Sequence, residues 1–167
     1  MVNLKQGSES LKSDTLDFIF NYTKDAPEHQ IHSAETLDAK VVQILSVSSI
    51  VIGLTVLTIG DISVNDVTII PLISSVLAYM GVALLSISQI MTAHFRVSPH
   101  ADILWPEYWD SDVKKIKHSL VSATSNAYRY NKSIIYKKNK LFLCALIAAV
   151  IEITSVAALV LLSICFP

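Results

Sequence analysis

Charge is scarce in this sequence. Only 16% of its 167 residues are Asp, Glu, Lys or Arg, where a soluble domain carries about a quarter. Hydrophobic residues make up 52% and mean hydropathy is +0.51, which excludes a disordered chain and argues against a soluble enzyme. Glycine is rare, with 4 residues, and so is proline, with 5, too few for collagen-like or low-complexity classes. The glycines Gly7, Gly53, Gly60 and Gly81 are scattered, so none forms a phosphate-cradling loop. The net charge of −1 offers no basic surface for nucleic acid.

Catalytic signatures are missing as well. There is no Ser/His/Asp order and no nucleophile elbow. His94 and His100 have no Cys or carboxylate motif beside them to complete a metal site, and His29, His32 and His118 read as solvated. The 2 cysteines, Cys144 and Cys165, lie about 31 Å apart on one helix and cannot bridge each other. Each is expected to serve as a small apolar packing residue. Cys165 is third from the end of the sequence, which is not a prenylation box. The expectation is a non-enzymatic protein with no cofactor and no metal.

What is present is long apolar runs. Residues 41–59, 67–91 and 141–166 contain no Lys or Arg. About 20 helical residues cross a hydrocarbon core of about 30 Å, so each run can span it. At this length the chain forms one unit, with too little polar sequence left to cover three such helices in water. All 13 Lys and Arg fall outside the runs and on one side of them. Lys5, Lys12, Lys24 and Lys40 precede the first. Arg96, Lys114, Lys115, Lys117, Arg129, Lys132, Lys137, Lys138 and Lys140 lie between the second and third. The loop 60–66 has only Asp61 and Asp66. The positive-inside rule then puts residues 1–40 and 92–140 in the cytoplasm, and the short loop and the C-terminus outside the cell membrane. The first 40 residues hold no apolar stretch followed by a cleavage site, so the first span is expected to act as its own insertion signal.

The polar parts read as helical. Val113, Ile116, Leu120, Ala123, Ala127, Tyr130 and Ile134 repeat at spacings of three and four, a heptad seam. Asp110, Ser111 and Asp112 supply its caps. Nothing breaks the helix before Lys140, so it should run straight into the third span. Leu11, Thr15, Phe18 and Tyr22 make a second seam. It ends at 24–27, where Asp25 and Glu28 read as a capping-box variant and Pro27 is tolerated in a first turn. A further helix then passes through Ile31, Ala34, Asp38 and Val41 into the membrane. The architecture expected is an all-α membrane protein of three transmembrane helices with a cytoplasmic helical bundle. Its stripes pack within one chain or between copies of a homo-oligomer. Segment 92–110 reads as a linker interrupted by Pro99 and Pro106, with Trp105, Tyr108 and Trp109 at headgroup level.

Glu152 is the one ionisable residue deep inside a span, about 18 Å past Lys140. A carboxyl at that depth is costly and faces protein or a water cavity. Ala145, Ala148, Ala149 and Ser155 share its face and permit close helix approach, while Ile147, Val150 and Leu161 lie opposite. Ser48, Ser49 and Tyr79 sit at similar depth as hydrogen-bond partners, and Ser49 and Gly53 form a small-residue pair. A neutral, hydrogen-bonded Glu152 bridging helices and an ion- or proton-conducting Glu152 are both open readings. Lys132, Lys137, Lys138 and Lys140 cluster at the membrane surface, where they contact anionic lipid or hold a phosphate.

Asp38-Ala39-Lys40 leading into the first span, the tight membrane hairpin, and Asn131 and Lys138 ahead of Leu141 on the helix entering the last span form a combination. It resembles the small prokaryotic transmembrane effectors of Pycsar-type antiphage systems and the related SLATT superfamily, over roughly residues 10–165. The resemblance implies a cell inner-membrane effector in antiviral defence. Such a protein is silent until it binds a cyclic nucleotide, with Asp38, Lys40, Asn131 and Lys138 as ligand residues, and then oligomerises to compromise the membrane. A non-enzymatic scaffold or accessory subunit and a small ion or proton carrier centred on Glu152 are the alternatives.

Overall fold

The computed structural model describes residues 17–22, 25–58, 67–92, 95–96 and 112–165. About 94% of them are helical and none is in a strand, so the chain is all-α. Three helices dominate: α1 (Ala26–Thr58), α2 (Ile69–Met91) and α3 (Val113–Cys165). Each is long and apolar enough to cross a membrane. Of the expected linker 92–110, only residues 92, 95 and 96 are described; Trp105, Tyr108, Trp109, His94 and His100 lie outside the described residues, as do the caps Asp110 and Ser111, Leu11, Thr15 and the loop acids Asp61 and Asp66.

Helix ends follow local chemistry. Pro27 sits in the first turn of α1, where its missing N–H costs nothing, and the Asp25 carbonyl accepts the His29 N–H at 3.1 Å. α3 starts at Asp112. Its Oδ1 accepts the Lys114 N–H at 3.2 Å and its carbonyl accepts those of Lys115 and Ile116, which satisfies the orphan donors of a first turn. α3 then continues through Lys140 without a break for 53 residues.

The chain divides into two compact units, Met1–Ala34 with His94–Ile135, and Glu35–Ala93 with Tyr136–Pro167. In the first unit, Gln30 Nε2 donates to the Tyr128 carbonyl at 3.3 Å. Lys117 Nζ meets Asp17 Oδ1 at 2.6 Å. Phe18 and Tyr22 stack at 6.3 Å between ring centroids, but they are 71% and 79% exposed. Among the described residues they therefore do not form the buried seam their spacing suggests.

The second unit gathers the most apolar stretches of the three helices. Gly81 of α2 faces Ala148 of α3, and a Cβ built there would make ordinary van der Waals contact with the Ala148 Cβ at 3.8 Å. Ala145, Ala149 and Leu159 are buried, as are Val41 of α1 and Val82 of α2. Ile50, Leu57, Ile70, Leu84, Val150 and Leu161 point outward. Over the described residues of both units, eleven polar or charged residues are buried against eight hydrophobic ones. That inversion suits a chain whose surroundings are lipid rather than water.

The register of α3 differs from the apolar seam read in the sequence. Leu120 is half-buried, and Ala127 and Ile134 are buried, as on that seam. Between them, however, Thr124 and Asn131 turn inward, Ala123 is half-buried and Tyr130 is exposed. The inward stripe is Thr124, Asn131, Lys138, Ala145, Glu152 and Leu159, one residue per heptad, all buried. Polar residues take these positions because most of them find partners there.

Candidate functional site

The stripe on α3 brings two ionisable groups into the second unit, in different company. Lys138 is fully buried and its Nζ lies 2.6 Å from Asp38 Oδ2 of α1. Gln89 of α2, also fully buried, donates from Nε2 to the Leu37 carbonyl at 3.0 Å and to Asp38 Oδ1 at 3.4 Å. Three helices thus meet at one carboxylate, which accepts from a cation on one oxygen and an amide on the other. A buried pair of this kind holds its helices in register, and removing either partner leaves a charge stranded. Gln89 Oε1 has no hydrogen-bond partner.

Two heptads further along, Glu152 is fully buried with no hydrogen bond to either oxygen. Ser48 of α1 faces this carboxyl. It stops short of hydrogen-bond geometry, so Ser48 Oγ is also unpartnered. Several other hydroxyls of the unit are paired. Ser49 Oγ and Tyr79 Oη lie 3.4 Å apart, with Ser49 also donating to the Leu45 carbonyl at 2.8 Å. Ser74 and Ser155 hydroxyls meet at 3.0 Å. Ser75 donates to the Leu72 carbonyl. Of the polar residues singled out at mid-span, then, Ser49 and Tyr79 join each other and Glu152 stands with Ser48.

The four ligand residues implied by the family resemblance separate. Asp38 and Lys138 form the ion pair. Lys40 is exposed and lines a groove with Gln43 and Ile44 of α1 and Phe142 and Ala149 of α3. Asn131 belongs to the other unit, where it is fully buried and binds the Arg96 backbone twice. Its Oδ1 accepts the Arg96 N–H and its Nδ2 donates to the Arg96 carbonyl, both at 2.9 Å. The Arg96 guanidinium lies 4.3 Å from the Tyr130 ring centroid, a cation–π contact that accounts for Tyr130 facing outward. Lys140 stands 4.9 Å over the Tyr136 ring in the same way. Cys144 and Cys165 are free and exposed on α3 rather than packed.

No family model, curated protein or solved structure matches this chain.

The first unit carries an open groove of about 810 Å³ lined by Tyr22, Asp25, His29, Gln30, Ser33 and Tyr128 among others. The described lining offers ring faces and hydrogen-bonding groups together with a carboxylate, and no Lys or Arg. It suits a planar, donor-bearing group better than a bare phosphate. No group of three or more His, Cys, Asp or Glu able to hold a metal occurs among the described residues.

Gln89 is the residue that sequence reasoning passed over, while Ser48 was read beside Ser49 and Tyr79 as one of three hydroxyls at the depth of Glu152. Gln89 is the single carboxamide in α2, and a long polar side chain in an otherwise apolar span is a readable signal. Ser48 and Ser49 are adjacent, and only the helix register decides which of them meets α3.

Proposed function

We propose that this chain is a multi-pass protein of the cell inner membrane, with its two polar segments in the cytoplasm and its C-terminus outside. It acts without catalysis by self-associating in the bilayer. The family resemblance extends this to an antiphage effector that responds to a nucleotide second messenger by compromising the membrane.

The observation that carries the reading is the outward face of the membrane unit. Large apolar side chains cover it, and on α1 the exposed Ser46, Ser49 and Gly53 leave a flat strip with nothing within 4 Å of a Cβ built at Gly53. Lipid tails cover the apolar part at no cost, whereas a strip of small residues lets a second helix come close enough for backbone packing. The groove lined by Tyr22 and Tyr128 provides ring faces on which a nucleobase can stack. The Asp38–Gln89–Lys138 cluster joins three helices through a link that a change in packing would break as a whole, which makes it a two-state element of the kind a ligand can bias.

The test is reconstitution of the full chain in vesicles loaded with a fluorescent dye. Addition of cyclic nucleotides one at a time should release dye with one of them and raise the native mass in detergent. Replacing Gly53 by Leu should reduce both. A panel that leaves dye retention and native mass unchanged refutes the effector reading. A stable complex with one other protein and no dye release would favour the scaffold alternative.

A further inference from the structure

Among the described residues, Glu152 and Ser48 are two buried polar side chains from different helices that meet mid-span with none of their oxygens hydrogen-bonded. Their surroundings supply no counter-charge. α2 has no Asp, Glu, Lys or Arg at all, and its one titratable side chain, Tyr79, is occupied by Ser49. On α1 the nearest charges are Asp38 and Lys40, and on α3 they are Lys138 and Lys140. All four are two turns or more away, roughly 12 to 21 Å along the helix. Asp38 and Lys138 are in any case engaged with each other.

A carboxylate with neither donor nor cation is not tolerated in such surroundings, whereas a carboxylic acid is. Glu152 and Ser48 offer three unpartnered oxygens between them. They are too few for a hard divalent cation, which takes six or more, but they match the two to four polar partners that hold one buried water. We propose that Glu152 and Ser48 form an intramembrane proton-binding site, in which the carboxyl carries an exchangeable proton and one bound water links it to Ser48 Oγ. The site is enclosed by a single chain and is independent of self-association or any nucleotide.

An apolar carbodiimide tests the proposal on the full chain in vesicles. The reagent adds to a protonated carboxylic acid: the O–H adds across the C=N bond and the product rearranges to an N-acylurea, a mass gain of one reagent molecule with nothing lost. An ionised carboxylate does not react in this way. Labelling at neutral pH should fall on the peptide containing Glu152, vanish in Glu152→Gln, and slow several-fold in Ser48→Ala. Infrared spectra give a second readout, since the acid carbonyl stretch should be present, be lost in Glu152→Gln, and shift on transfer to D₂O. A folded protein with no adduct at Glu152, a labelling rate indifferent to Ser48, or a band that fails to shift in D₂O each overturns the proposal.

Discussion

Lys138 and Glu152 stand on the same stripe of α3, roughly 21 Å apart by helix rise, and both are fully buried. One is embedded in a network: Asp38 at 2.6 Å, with Gln89 holding the same carboxylate from a third helix. The other meets only an unpaired hydroxyl. The sequence repeat that carries both inward is identical, so the contrast isolates what partners do to a buried ionisable group. With partners, the group organises helices. Without them, it is a local liability that the rest of the unit has to offset, and such liabilities concentrate at functional positions.

The contrast breaks most visibly at Asp38. Asp38→Ala leaves the Lys138 ammonium enclosed without its carboxylate, a change that costs about 3–5 kcal/mol in other buried pairs. We expect an unfolding free energy in mixed micelles reduced by that order. The double variant Asp38→Leu with Lys138→Met should recover most of the loss, because the desolvation penalty goes with the charge. A single variant as stable as the native chain would mean that the pair adds nothing.

Asn131 extends the comparison to the other unit, where a buried polar residue is again fully engaged. Asn131→Ala removes both bonds to the Arg96 backbone and leaves a backbone donor and acceptor without their partner. The cost should be about 1–3 kcal/mol. Amide hydrogen exchange should report it directly, with loss of protection at the Arg96 N–H and little change in α2.

Glu152 should respond with the opposite sign. Replacing an unsatisfied buried polar group by an apolar one of similar size removes a desolvation cost of about 1–3 kcal/mol. Glu152→Leu is therefore expected to leave the unit unchanged or raise its unfolding free energy by about 1 kcal/mol, measured in the same micelles as Asp38→Ala. A loss as large as that of Asp38→Ala would show that Glu152 has a strong partner and would end the contrast.

How much of this was legible follows from which physical signal each feature leaves. The three long apolar helices were readable because 41–59, 67–91 and 141–166 contain no Lys or Arg and a single acid, Glu152. The continuity of α3 through Lys140 was readable because no Pro or Gly interrupts it. The inward stripe was misread by one position at Ala123 and Tyr130, since the seam was drawn through apolar residues. Thr124 and Asn131 occupy it instead, and Asn131 does so by binding a backbone segment that the local sequence does not announce. Asp38 and Lys138 were picked out together through a family resemblance, but their direct pairing depends on the packing of α1 against α3, which spacing within either helix does not contain. Depth placed Glu152 among hydroxyls. Choosing Ser48 over Ser49 required the rotation of α1, a difference of about 100° per residue.

That rotation leaves a last, small test. Ser49 and Tyr79 lie 3.4 Å apart at the exposed edge of the unit, and Ser49 keeps its bond to the Leu45 carbonyl whether or not the phenol is there. Interhelical hydrogen bonds of this kind in membrane proteins average about 0.6 kcal/mol, and the long distance argues for a value at or below that average. Tyr79→Phe should therefore shift stability by about 0.5 kcal/mol and leave carbodiimide labelling of Glu152 unchanged, because the phenol bonds Ser49 and not Ser48. If Tyr79→Phe instead alters labelling as strongly as Ser48→Ala does, the two serines have exchanged roles, and α1 is rotated by one residue relative to the arrangement described.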